Sequence, residues 1–237
     1  MLPMTKMKRA LSVLLCCIVL IAAAPLAVNT HLRETYVFTI SHWLTKIRSP
    51  KAVFVGDSIT AGAGWNFHGL SWFNVINLGA MGLTIHQIES LAKLAVTNYQ
   101  PQFLFVMAGT NDVVSPHYHA DEIKDDIKHL VDALAALPAQ VTITLIPPTA
   151  SPTYRERIGE MNGYLRSAAE AKGMRIIDLG PSLAPSGLLS PAYTTDGVHF
   201  SDSAYAVWRS EIEKAWTDLL RAYPEKIPAA AESRPVN

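Results

Sequence analysis

Short apolar runs alternate with longer stretches of helical period through the middle of this chain. The runs are Ala52–Val55, Phe73–Ile76, Phe103–Met107, Val141–Ile146 and Met174–Ile177. Each is brief and apolar at consecutive positions, the pattern of a strand buried on both faces, so each predicts a strand. Between and after them, apolar residues recur at steps of three and four. That period predicts helices over Ile85–Thr97, Ala120–Leu137, Tyr154–Lys172 and Asp202–Ala222. Gly173 stands where the third helix should stop, and Ser201 where the last should be capped. Strand and helix in alternation predict an α/β fold, a parallel sheet with helices on both faces. In such sheets the functional groups lie beyond the carboxyl ends of the strands.

The pattern is different before residue 51. An uncharged stretch, Ala10 to Val28, follows Lys6, Lys8 and Arg9. It reads as a single membrane span or a signal peptide. Ala22-Ala23-Ala24 offers a small-x-small cleavage site, but Pro25 would follow the cut and disfavours it. The preferred reading is therefore an uncleaved anchor. The basic residues would stay on the cytoplasmic side, and the rest of the chain would lie outside the cytoplasm, in the cell envelope. Cleavage would instead give a secreted or periplasmic protein. Leu32, Tyr36, Ile40, Trp43, Leu44 and Ile47 recur at helical steps, predicting an amphipathic helix from about Leu32 to Lys46. It could lie on the membrane surface or pack on the body. The tail from Tyr223 mixes Pro224, Pro228 and Pro235 with Ala, Glu, Lys and Arg, and predicts disorder. The expected organisation is thus an anchor or signal over 1–28, a helical linker over 29–50, one domain over 51–222 and a tail over 223–237.

Composition narrows the partners. Apolar residues make up 49% of the 237 residues and charged ones 17%, enough for a real core. Lys+Arg and Asp+Glu both number 20, so no basic excess exists to neutralise a phosphate backbone, and nucleic acid is not an expected partner. Cys16 and Cys17, the only cysteines, both fall in the apolar stretch, so no disulfide is expected in the body.

The candidate chemistry sits at the strand ends. Gly56-Asp57-Ser58 follows the first apolar run, Asn77-Leu78-Gly79-Ala80-Met81-Gly82 the second, and Gly109-Thr110-Asn111-Asp112 the third; Asp196-Gly197-Val198-His199 comes just before the last helix. A serine hydroxyl is a poor nucleophile until an imidazole takes its proton, and the imidazole needs a carboxylate to fix its tautomer. Ser58, His199 and Asp196 could do all three jobs.

These four blocks, in this order and over roughly Ala52 to Trp208, resemble the SGNH (GDSL) hydrolase family. The resemblance implies a three-layer, flavodoxin-like sheet of order 2-1-3-4-5. It implies Ser58 as nucleophile, His199 as general base and Asp196 as its partner. It also implies an oxyanion hole made by the Ser58 N–H, the Gly82 N–H and the Asn111 amide. Gly82 aligns with the second glycine of the family pattern, with Gly79 the alternative, because Leu83 stands where the family often has Asp; Thr84 matches. No metal or organic cofactor is implied. The expected activity is hydrolysis of carboxylic (acyl or acetyl) esters of a small molecule, glycan or lipid. Acyl transfer to a sugar hydroxyl, or a non-catalytic membrane-tethered binding protein, would use the same fold.

Plainer readings compete at single positions. Asp57 and Ser58 could cap a short helix, Asn111 could be a turn residue and His199 a surface histidine. Asp112 reads as structural, ordering its loop or capping. His117, His119, Asp121 and Glu122 cluster in sequence, but the acids fall in a first helical turn, where the helix dipole favours them, and no metal-ligand spacing is present. That segment, and Trp65, Phe67, His68 and Trp72, could wall a substrate cleft. Gly62-Ala63-Gly64 hints at a dinucleotide loop, but Phe67 occupies the third glycine position and Asn77, not an acid, ends the second strand. The Gly-x-Ser-x-Gly elbow of α/β-hydrolases is absent.

Overall fold

The structure is a computed structural model, and it describes residues 51–64 and 74–222. Five strands form one parallel sheet: β1 (Lys51–Val55), β2 (Asn74–Asn77), β3 (Phe103–Met107), β4 (Gln140–Thr144) and β5 (Arg175–Ile177), in the order β2-β1-β3-β4-β5. The helices are α1 (Ser58–Gly62), α2 (Ile85–Tyr99), α3 (Thr110–Val114), α4 (Ala120–Ala135), α5 (Pro152–Ala171), α6 (Gly180–Leu183) and α7 (Asp202–Ala222). A 3₁₀ turn spans Pro191–Tyr193.

The continuous apolar strands are buried on both faces, as their pattern demands. In β1, Val53 and Val55 point to one side, and Ala52 and Phe54 to the other. The first side packs under α2, α4 and α5, through residues such as Ile88, Ala92, Ile127, Val131, Met161 and Leu165. The second side lies under α7, whose Ala204, Trp208, Ile212, Ala215 and Leu219 form one stripe at helical spacing. Aromatic pairs fill this second layer. Phe54 stacks on Phe105 with ring centroids 4.7 Å apart, and Trp216 meets Phe103 edge-on at 4.6 Å. The indole N–H of Trp208 donates to Thr144 Oγ1 at 3.1 Å, so a polar position of β4 is satisfied inside the layer. Replacing a buried tryptophan of this kind with alanine costs about 3–5 kcal/mol.

Element ends follow local chemistry. The helix that begins at Pro152 starts two residues before the periodic pattern does, because proline suits the first helical position. It ends in a paired closure: the Gly173 N–H reaches the Glu170 carbonyl and the Met174 N–H the Ala169 carbonyl, at 2.9 and 3.0 Å. Ser201 does precede α7, and its carbonyl accepts the Tyr205 N–H at 3.0 Å. Its hydroxyl, however, donates to the Ala192 carbonyl at 2.9 Å and ties the loop before the helix. The short α3 and α6 were not legible in the apolar period, since neither is long enough to show one.

The Ala10–Val28 stretch, the Leu32–Lys46 helix, the cleft residues Trp65, Phe67, His68 and Trp72, and the tail from Tyr223 all lie outside the described residues. Among the described residues, no helix is long and apolar enough to cross a membrane.

Candidate active site

The sheet order reverses between β1 and β3, and a parallel sheet opens a crevice above such a point. Ser58 leaves the end of β1, Asn111 the end of β3, and Gly82 the loop after β2, so all three rise at this edge.

Asp57 shapes the first segment. It is fully buried, and its Oδ1 accepts the Ile59 N–H at 2.9 Å, which caps α1. Burial raises its carboxyl above the usual carboxylate range. Ser58 therefore occupies the first helical position, where a backbone N–H has no acceptor within its own helix. Asn77 holds the other end of this helix: its side-chain amide donates to the Thr60 and Ala63 carbonyls at 2.8 and 3.1 Å. Tyr205, on α7, donates its hydroxyl to the Ile59 carbonyl at 2.8 Å. Burial, and then the nearby Asp57 charge, push the Tyr205 phenol up to about 12, so it remains a donor.

The second segment lies along the first. The Leu78 N–H donates to the Phe54 carbonyl, and the Ala80 N–H to the Gly56 carbonyl. Its two glycines have different duties. Gly79 spends its N–H on Asn77 Oδ1 at 2.9 Å, and a Cβ there would come within 2.3 Å of the Ala61 nitrogen. Gly82 has φ +72°, a left-handed turn that glycine adopts without strain, and a Cβ there would meet only open space. No described residue accepts the Gly82 N–H. The geometry thus separates a packing glycine, Gly79, from a glycine with a free donor, Gly82.

Asn111 belongs to the first turn of α3. Its amide nitrogen donates one hydrogen to the Leu83 carbonyl at 2.9 Å, and a primary amide carries two. The bond fixes the plane of the amide beside the Gly82 turn and leaves the second hydrogen for another acceptor.

The fourth block is a surface loop. His199 Nε2 lies 2.9 Å from Ser58 Oγ, and His199 Nδ1 lies 2.7 Å from Asp196 Oδ2. With Nδ1–H given to the carboxylate, Nε2 carries the lone pair that faces the serine hydroxyl. Asp196 Oδ1 also accepts the backbone N–H groups of Val198 and His199, at 2.9 and 2.8 Å. The His199 N–H, then the His199 side chain and the Val198 N–H, hold its carboxyl down at about 2. Thr194 closes the loop: its hydroxyl donates to the His199 carbonyl and accepts the Gly197 N–H, both at 2.8 Å. The Gly197 carbonyl in turn accepts the Ala150 N–H at 2.8 Å, tying the loop to the segment after β4.

The structure therefore brings Ser58, His199 and Asp196 into one hydrogen-bonded line, with Asn111 bonded to Leu83, the residue after Gly82, at the same end of the sheet. Sequence reading placed Asn77 in the second block without its tie to α1, and gave no part to Thr194 or Tyr205. Each acts through a backbone group distant in sequence or through a tight loop, and neither period nor motif reports that. Among the described residues no three His, Cys, Asp or Glu side chains converge as a metal site, and the His117–Glu122 stretch forms none. Instead, His119 is the residue before α4, and Asp121 lies 4.0 Å from Lys124.

A candidate acylhydrolase from Bacteroides fragilis is 28% identical, with a TM-score of 0.63 over 72% of this chain and 88% of that one. A GDSL-like lipase from Bacteroides thetaiotaomicron is 23% identical, with a TM-score of 0.62 over 78% and 98%. An acetyl xylan esterase is 19% identical, with a TM-score of 0.59 over 70% and 98%, a likeness of fold. No curated protein matches the chain. Residues 54–207 match the model of the GDSL-like lipase/acylhydrolase family, and the chain belongs to that family.

Proposed function

We propose that this chain is a serine ester hydrolase acting on carboxylic esters outside the cytoplasm. The observation that carries the reading is the line from Ser58 Oγ to His199 Nε2 and from His199 Nδ1 to Asp196. In this reading Ser58 attacks the ester carbonyl carbon while His199 takes the hydroxyl proton. The carbonyl oxygen gains negative charge and is held by the Ser58 N–H, the Gly82 N–H and the free hydrogen of the Asn111 amide. His199 then gives its proton to the departing alcohol oxygen, leaving an acyl-enzyme on Ser58. A water molecule, deprotonated by the same imidazole, attacks that ester; the acyl–Oγ bond breaks, the imidazolium returns the proton to Ser58 Oγ, and the acid is released. Asp196 stays ionised throughout and stabilises the imidazolium.

The family supports an acylhydrolase, and relatives of the same fold include an acetyl xylan esterase. An anchor over Ala10–Val28, with Lys6, Lys8 and Arg9 on the cytoplasmic side, would hold the body at the outer membrane face.

The test is covalent. A fluorophosphonate should label the purified wild-type protein once, and Ser58→Ala should remain folded, take no label and hydrolyse no p-nitrophenyl ester. Turnover by the folded Ser58→Ala protein at the wild-type rate would remove Ser58 from the mechanism.

A further inference from the structure

The mechanism leaves one half-buried carboxyl unused. Asp112 follows Asn111 in the first turn of α3, yet its partner lies elsewhere: both of its oxygens face the Ile85 N–H, at 3.3 and 3.2 Å. Ile85 is the first residue of α2, three positions after Gly82. The neighbouring Thr84 N–H is already taken by the Gln87 side chain at 3.0 Å. Asn111 and Asp112 thus make two adjacent bonds to one short segment, the first to the Leu83 carbonyl and the second to the Ile85 N–H. The two bonds have opposite polarity, and the segment they grip is the one that presents the Gly82 N–H.

We propose that Asp112 is a positioning residue, whose grip on Ile85 sets the Gly82 N–H and the Asn111 amide at the spacing one oxyanion requires. The proposal rests on the serine esterase reading above and assigns the fourth residue of the Gly-Thr-Asn-Asp block a share in it. With the Asn111–Leu83 bond alone, the turn has a single attachment to α3 and can pivot about it. With the second bond, both translation and rotation of the turn are fixed. A carboxylate does this better than a neutral group because it faces the positive end of α2.

The electrostatics run against a purely stabilising role. Burial is the largest influence on Asp112 and pushes its carboxyl up to about 6, and the charges of Asp126, on α4, and Asp57, at the nucleophile turn, push the same way. The ionised form is therefore disfavoured by the folded surroundings, and only the Ile85 N–H and the residue's own N–H oppose this. A group kept for stability alone would gain from being neutral. A group kept to hold a donor in place needs its charge.

The experiment compares wild type, Asp112→Ala, Asp112→Asn, Asn111→Ala and the Asn111→Ala/Asp112→Ala double variant. The measurements are p-nitrophenyl acetate hydrolysis at pH 7.5 and thermal unfolding. Misplacing a group in a tuned site lowers rate by roughly 10–100-fold. Asp112→Ala should lose kcat in that range with KM within about threefold of wild type. Asp112→Asn, which retains a weaker acceptor for Ile85, should fall between the two and melt no lower than wild type. In the Asn111→Ala background, removing Asp112 should lower kcat by less than about threefold, because the hole is already broken. Should the alanine variant not fold, Asp112→Asn alone decides: wild-type kcat overturns the proposal. Losses that multiply fully in the double variant and follow the melting temperature also overturn it, since they mark a structural role. Wild-type kcat in Asn111→Ala would instead remove the oxyanion hole and take the proposal with it.

Discussion

The Tyr205 hydroxyl donates to the Ile59 carbonyl at 2.8 Å, a bond that joins the last helix to the nucleophile helix across 146 positions of chain. A Cβ on Gly62 would come within 2.5 Å of the same hydroxyl, so the contact is close on both sides. Replacing Tyr205 with phenylalanine keeps the ring but leaves a buried carbonyl without its partner. That should destabilise the domain by about 1–3 kcal/mol, read as a lower urea midpoint with an unchanged slope. Ester hydrolysis should also fall, since α1 carries Ser58. An unchanged midpoint would mean that water replaces the phenol.

The Asn111 amide is expected to act on the transition state. Loss of one oxyanion donor lowers kcat by about 10²–10³, so Asn111→Ala should show a fall of that order with KM nearly constant. An effect confined to KM would make Asn111 a substrate-binding group instead.

Stability should depend on pH with a definite sign. Asp112 holds its proton more tightly folded, at about 6, than unfolded, at 3.8. Between those values the folded state binds more protons than the unfolded one, so stability rises as pH falls from about 6 toward 4. Asp57 is raised as well and adds in the same direction. Asp196 is opposed: its carboxyl is held down at about 2, and its contribution is lost only as pH falls below 3.8 toward that value. Thermal unfolding should therefore move upward between pH 7 and pH 5, and Asp112→Asn should flatten that rise. A melting temperature that falls over this interval in wild type would contradict the assignment.

Tethering has its own test. The uncharged Ala10–Val28 stretch reaches about 1.5 Å per residue if helical, enough to span a bilayer. Full-length protein should stay with membranes after a carbonate wash, with its catalytic body open to protease from the extracytoplasmic side. A mature N-terminus between Ala24 and Val28, with the protein free in the exported fraction, would make the stretch a signal peptide.

The strands were legible because strands buried on both faces leave unbroken apolar runs, as in Phe103–Met107, whereas their order followed from the family resemblance and not from the runs. Ser58, Asn111 and the Asp196–His199 pair were legible because each stands in a short block beside a strand or helix end. The choice between Gly79 and Gly82 was not, because the spacing of glycines does not show which N–H is already engaged. Asn77 Oδ1 decides that point, and only the folded loop brings it to Gly79. Asp112 was read as ordering its loop or capping a helix. The helix it caps is α2, which follows β2, and no motif or period in the chain signals that pairing.

Ser58 and His199 stand 141 positions apart, near opposite ends of the folded body. In the proposed mechanism every oxyanion donor is encoded before the base, and β1 holds an interior place between β2 and β3. A partly made chain could carry the nucleophile and its donors long before it carries anything able to take the serine's proton. The proton acceptor is thus encoded only after all five strands, in the loop that leads into α7.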